Sequence, residues 1–206
     1  MPHIYAENPF CSRRIKPGAI PFFFPEGLNE EILVERLREN EWYGQIIGPH
    51  GSGKSTLLAA LLPALENEGR HLLHLELQDG TRHLPLTPEQ LEKLDKNSLL
   101  AIDGYEQLSY WSRRRLKNKS KIQGFGTLII AHAPFDLPIL FRTHGNLEVA
   151  QQIVKDLLLG TPVHISESLV EERFYEQKGN VREMLFSLYD DYEMEYRRIV
   201  SHNSEK

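Results

Sequence analysis

The stretch that decides the fold is "GQIIGPHGSGKSTLLAALLPAL", Gly44 to Leu65. A short apolar run ends at Gly48. Eight residues then match G-x-x-x-x-G-K-[ST] at every fixed position, Gly48 to Ser55, and a leucine-rich helical pattern follows at once. The glycines suit a loop whose backbone N–H groups must turn inward around a phosphate, at dihedrals and approach distances that side chains would block. The spacing makes Gly48, Pro49, His50, Gly51, Ser52, Gly53, Lys54, Ser55 and Thr56 a candidate phosphate cradle. Lys54 would neutralise phosphate charge, Ser55 would ligate Mg²⁺, and the following helix would add the positive end of its dipole. His50 fills a variable position, where an exposed loop histidine is the plainer reading.

Outward from this loop the chain alternates between strand and helix patterns. Residues 1–27, rich in proline and aromatics, suit an extended strap, with Phe22, Phe23 and Phe24 between two prolines. Asn29 is placed to cap "EEILVERLREN", and "WYGQIIG" reads as the strand feeding the loop. "HLLHLEL" alternates as expected near a sheet edge. "SLLAID" and "TLIIAHAP" are continuous apolar runs, as expected of strands covered on both faces of a parallel sheet, and "ILFRTH" is a candidate fifth strand. "NLEVAQQIVKDLLLG" predicts a helix closed by glycine. The remaining tail splits at Gly179–Asn180 into two helices, Asn180 capping the second. This pattern predicts a three-layer α/β fold over residues 1–160, strap included, and a small helical lid over 161–206.

Composition narrows the function classes. The chain has 206 residues, 24 basic and 29 acidic, for a net charge of −5. That suits one sizeable core and argues against the strongly basic field of a dedicated nucleic-acid binder, so any DNA contact must be local. The single Cys11 cannot form an internal disulfide, the N-terminal stretch lacks the apolar core of a signal peptide, and no apolar run approaches a membrane span. A cytoplasmic protein is the expectation. The one basic concentration is "WSRRRLKNKSK", Trp111 to Lys121 with its cations from Arg113 to Lys121, which reads as a solvated helix or as a contact for a phosphate backbone or an acidic partner.

Asp103 ends the second apolar strand after the loop, where a carboxylate could hold a Mg²⁺-bound water opposite Ser55. Hydrolysis also needs a group that orients or deprotonates the attacking water. Residue 104 is glycine, so no carboxylate adjoins Asp103, and the nearest one is Glu106. A sharp turn at Gly104 would swing Glu106 toward the γ-phosphate. Alternatively, Glu106 sits in the first turn of the next helix and meets free backbone N–H groups.

With the phosphate loop, "LLAIDGYEQL", "TLIIAHAP" and "GNVREM" in this order, the chain from about Tyr43 to Leu188 resembles the AAA+ and STAND-type ATPases, especially the compact origin-recognition-like and transposition-helper members. The resemblance implies a P-loop NTPase fold with a mainly parallel five-stranded sheet of ASCE-type order 5-1-4-3-2. It implies ATP and Mg²⁺ as cofactors, and an ATP hydrolase that works as a switch on a protein or DNA partner. His132, ending the "TLIIAH" strand, matches the sensor 1 position, which more often holds Asn, Thr or Ser. Arg182, in "KGNVREML", matches the sensor 2 arginine that reports γ-phosphate occupancy to the lid. Arg142 lies roughly where such folds present an arginine finger to a neighbouring copy, which also leaves self-association open. A small-molecule P-loop kinase and a nonhydrolysing ATP-binding scaffold are the competing readings. An ABC subunit is disfavoured by the missing LSGGQ-like signature, and a GTPase by the missing aspartate after "NKS".

Overall fold

The computed structural model describes residues 7–204, with side chains described through Ser201. The first six residues of the expected strap lie outside that range. The elements are α1 (Glu30–Glu39), β1 (Tyr43–Ile47), α2 (Lys54–Asn67), β2 (His71–Glu76), α3 (Pro88–Glu92), β3 (Ser98–Asp103), α4 (Tyr110–Gln123), β4 (Gly126–Ala131), β5 (Ile139–Arg142), α5 (Leu147–Leu158), α6 (Glu167–Glu176) and α7 (Val181–Ser204). No helix among the described residues is long and apolar enough to cross a membrane.

The five strands form one sheet in the order β2-β3-β4-β1-β5, and every neighbouring pair is parallel. This is the order that the family resemblance implies, with the "TLIIAH" strand between the loop strand and the Asp103 strand. β3 and β4 are buried along nearly their whole length, which is why both read as unbroken apolar runs, whereas the edge strand β2 alternates in exposure. The chain is a three-layer α/β fold, and the expected lid helices are α6 and α7.

The chain divides into two compact units: residues 24–48 with 57–143, and residues 7–23 with 49–56 and 144 onward. The sheet unit packs Leu100, Ile102 and Ile129 against Leu77, Leu108, Leu116 and Phe125. Asn29 caps α1 through its side chain, which accepts from Ile32 N. Thr87 and Gln90 build a reciprocal capping box on the short α3.

The helical unit has its own core, in which Phe10 and Ile15 of the strap pack with Ile153, Val154, Phe174, Leu185, Leu188 and Tyr192. The strap is therefore packed into this unit, whereas the sequence reading grouped it with the core over residues 1–160. Asn180 caps α7 by accepting from Glu183 N at 3.1 Å. On the outer side of the same helices, Arg173 bridges Glu176 and Asp191, and these carboxylates hold its guanidinium pKa well above the usual range.

Candidate nucleotide site

Because β1, β3 and β4 run parallel and neighbour one another, their C-terminal ends fall on one edge of the sheet. Gly48 follows β1, Asp103 ends β3 and His132 follows β4, with Ile47 in register with Ala131 and Asp103 with Ile130. That edge is where open α/β sheets bind ligands.

After Asp103 the backbone turns at Gly104, in the left-handed conformation at φ +78°, into a single 3-10 turn, Tyr105–Gln107. A Cβ at Gly104 would lie 2.7 Å from the carbonyl oxygen of Leu77, so the position requires glycine both for its dihedral and for its clearance. The turn is pinned on both sides of Glu106. Tyr105 is buried edge-on to Phe135, with ring centroids 4.9 Å apart, and burial pushes its phenol pKa up. Gln107 Nε2 donates to Asp79 Oδ1 at 2.9 Å. Between these anchors Glu106 Oε1 lies 3.0 Å from His132 Nε2, while His132 Nδ1 is 3.3 Å from the Gly48 carbonyl oxygen.

Since a carbonyl only accepts, Nδ1 is the ring nitrogen placed to donate to Gly48, and Nε2 is the one that faces the carboxylate. Glu106 Oε2 is buried with no hydrogen-bond partner. Glu106 thus meets its own strand-end histidine, a contact that the sequence did not announce.

Sequence reasoning also missed Gln45, a buried amide in the middle of β1. Its Nε2 donates to the carbonyls of Phe135 and Leu137, and its Oε1 accepts from Phe135 N at 2.8 Å, fixing the segment that leaves His132. The available signal was a polar residue inside an apolar strand. Gln45→Leu removes the partner of Phe135 N–H and of the Leu137 carbonyl, while the Phe135 carbonyl keeps its bond from Leu137 N. We expect a loss of about 3 kcal/mol in unfolding free energy by urea titration; a loss below about 1 kcal/mol would show that water replaces the amide.

In the helical unit, Lys54 is buried at 7% exposure, and its ammonium donates to the Pro49 carbonyl at 2.7 Å. Ser52 Oγ donates to the same carbonyl at 2.8 Å. Gly51 sits at φ +66°, and a Cβ there would stand 1.7 Å from Asn180 Oδ1, so the loop is shaped against the cap of α7. The ring of Phe22 approaches Gly53 closely enough to lie 3.5 Å from a Cβ built there. Pro49 and His50 are exposed, and Ser55 and Thr56 are half-buried.

No protein-family model and no curated protein matches the sequence. Solved structures do match the fold. A RuvB mutant from Thermotoga maritima superposes over 79% of this chain and 61% of its own, with a TM-score of 0.53 at 15% identity. A DNA replication initiation factor superposes over 89% of this chain and 66% of its own, with a TM-score of 0.61 at 16% identity. The chain therefore spans a little over three-fifths of each of these proteins. Its fold is that of an AAA+-type P-loop NTPase.

Within this AAA+-type fold the sequence-derived residues fall into two groups. The sheet unit brings Glu106 and His132 into contact and sets Asp103 on the same sheet edge. Arg142 ends the edge strand β5, exposed and in register with Ile47. The helical unit brings the glycine loop and Lys54 together with Asn180, two residues before Arg182, whose guanidinium lies 5.8 Å from the ring of Phe186 on its own helix. The loop is chemically fitted to a polyphosphate: a buried ammonium, a hydroxyl at Ser55, and no acidic side chain in the first turn of α2.

Proposed function

We propose that the chain binds ATP with Mg²⁺ through its glycine loop and hydrolyses it as a slow switch acting on a protein or DNA partner. In this reading Lys54 takes the β- and γ-phosphates, and Ser55 and Asp103 serve the metal. Mg²⁺ would neutralise phosphate charge as the bond to the γ-phosphorus breaks. Glu106 is the group that orients and deprotonates water, His132 responds to the γ-phosphate, and Arg182 reports occupancy to α7. A fold shared with a DNA replication initiation factor and with RuvB supports a partner of this kind, although that likeness carries only the fold.

The observation that carries the reading is the Glu106–His132 pair. A carboxyl group with one oxygen on a strand-end imidazole and the other buried without a partner is positioned to accept a proton. The pair also supports slowness. While Oε1 is engaged, Glu106 must either act through Oε2 or leave His132, and each route restrains turnover. If neither route is available, the protein is an ATP-binding scaffold.

Purified protein with ATP and Mg²⁺, without any acceptor, is expected to release inorganic phosphate at a rate well below the ordinary enzymatic ~10 per second. Phosphate transfer to a nucleoside or sugar in place of water would establish the kinase reading instead, and tight ATP binding without release would establish the scaffold.

A further inference from the structure

Helix α4 carries six of the chain's 24 cations and none of its 29 acids, leaving 18 cations against 29 acids elsewhere. At 100° per residue its buried side is set by Leu116 and Ser120. The opposite, outward side is centred on Trp111, Asn118 and Ile122. Arg114 and Lys121 flank this line on one side and Arg115 on the other. Trp111 is 74% exposed, Ile122 82% and Tyr110 58%, so the apolar members of this line stand in water among the cations. Tyr110 meets Trp111 edge to face, with centroids 5.5 Å apart, and receives a hydrogen bond from Arg114 Nη1 at 3.3 Å.

The cations on this face are largely uncommitted. Lys117, at its margin, pairs with Asp136, and Arg113 lies over the ring of Phe135, away from the centre. Among the described residues no acid lies within ion-pair distance of Arg114, Arg115 or Lys121. Trp111 and Ile122 are about 16 Å apart along the axis, with Arg115 and Asn118 between them, so they do not form the contiguous charge-depleted centre of a protein interface. An exposed aromatic pair, Tyr110 with Trp111, set among cations instead matches a chain that offers flat bases and repeating phosphates.

We propose that the outward face of α4 is a docking surface for single-stranded DNA, with a base stacked on Trp111 and phosphates on Arg114, Arg115 and Lys121. This rests on the reading of the chain as a nucleotide-driven switch and names the partner of that switch. A duplex keeps its bases stacked inside and would leave Trp111 unused, so unpaired DNA is favoured.

Anisotropy titrations of the full chain against a labelled 20-nucleotide oligo(dT), at several salt concentrations, test this. The parent should bind, with a double-logarithmic salt slope near about −2 for three phosphates. Trp111→Ala should weaken binding about 10-fold with the slope unchanged, and should remove the quenching of tryptophan fluorescence that oligo(dT) produces in the parent. R114E with K121E should weaken binding at least about 10-fold and flatten the slope by about 1 to 1.5. Circular dichroism confirms that both variants are folded.

No binding by the parent overturns the proposal. So does equal or tighter binding to oligo(U), to a duplex of the same length or to polyglutamate, and so do parent-like affinities in both variants. ATP binding is measured in the same samples. Its absence, with oligo(dT) binding retained, would sink the switch and leave this surface standing; the reverse would sink the surface alone.

Discussion

Lys54→Ala is expected to reduce ATP affinity by about 10² to 10⁴-fold and to bring phosphate release to background. The side chain is buried, and its ammonium points into the loop, where it already donates to the Pro49 carbonyl. On a bound triphosphate it would form two charge-assisted hydrogen bonds, each contributing about 1.5–3 kcal/mol, which together give that range at about 1.4 kcal/mol per tenfold. The fold should be little affected, since alanine removes a buried charge rather than adding one and the Ser52 bond to Pro49 remains. Titration calorimetry with ATP and Mg²⁺ checks this. Affinity within threefold of the parent would mean the loop is not the phosphate site.

Glu106→Gln is expected to keep ATP binding and slow hydrolysis by about 10² to 10⁴-fold, the usual contribution of a positioned general base. Glutamine has nearly the same shape, so its amide can keep a hydrogen bond to His132 and the turn between Tyr105 and Gln107 can stay as it is. What it loses is basicity. Single-turnover hydrolysis, read beside the ATP dissociation constant, separates the two effects. Unchanged turnover with unchanged affinity would give Glu106 a purely structural role as the partner of His132.

Much of this was legible in the sequence because the deciding signals are local. The glycine loop, the capping asparagines at 29 and 180, and the unbroken apolar runs of β3 and β4 each follow from residues close together in the chain. The strand order, by contrast, came through the family resemblance, since no local pattern orders strands in a sheet. What stayed hidden depends on contacts between segments far apart. Gln45 reads as a blemish in a strand until residues 135–137 fold over it, and nothing near Glu106 announces a histidine 26 positions later. Phe22 was legible as a packing residue, but its neighbour Gly53 was not.

The Leu77 carbonyl beside Gly104 has a consequence for how this protein could evolve. In ATPases of the kind proposed, the commonest arrangement places a water-activating glutamate directly after the metal-side aspartate. Here that place is sterically closed: a side chain at 104 would meet main-chain oxygen from the end of β2, and the left-handed turn would be strained as well. A single codon change at Gly104 cannot return the chain to the common plan. If Glu106 serves as proposed, its descendants inherit position 106 as the seat of the carboxylate unless the end of β2 is rebuilt first, and the histidine-held glutamate is an evolutionary lock.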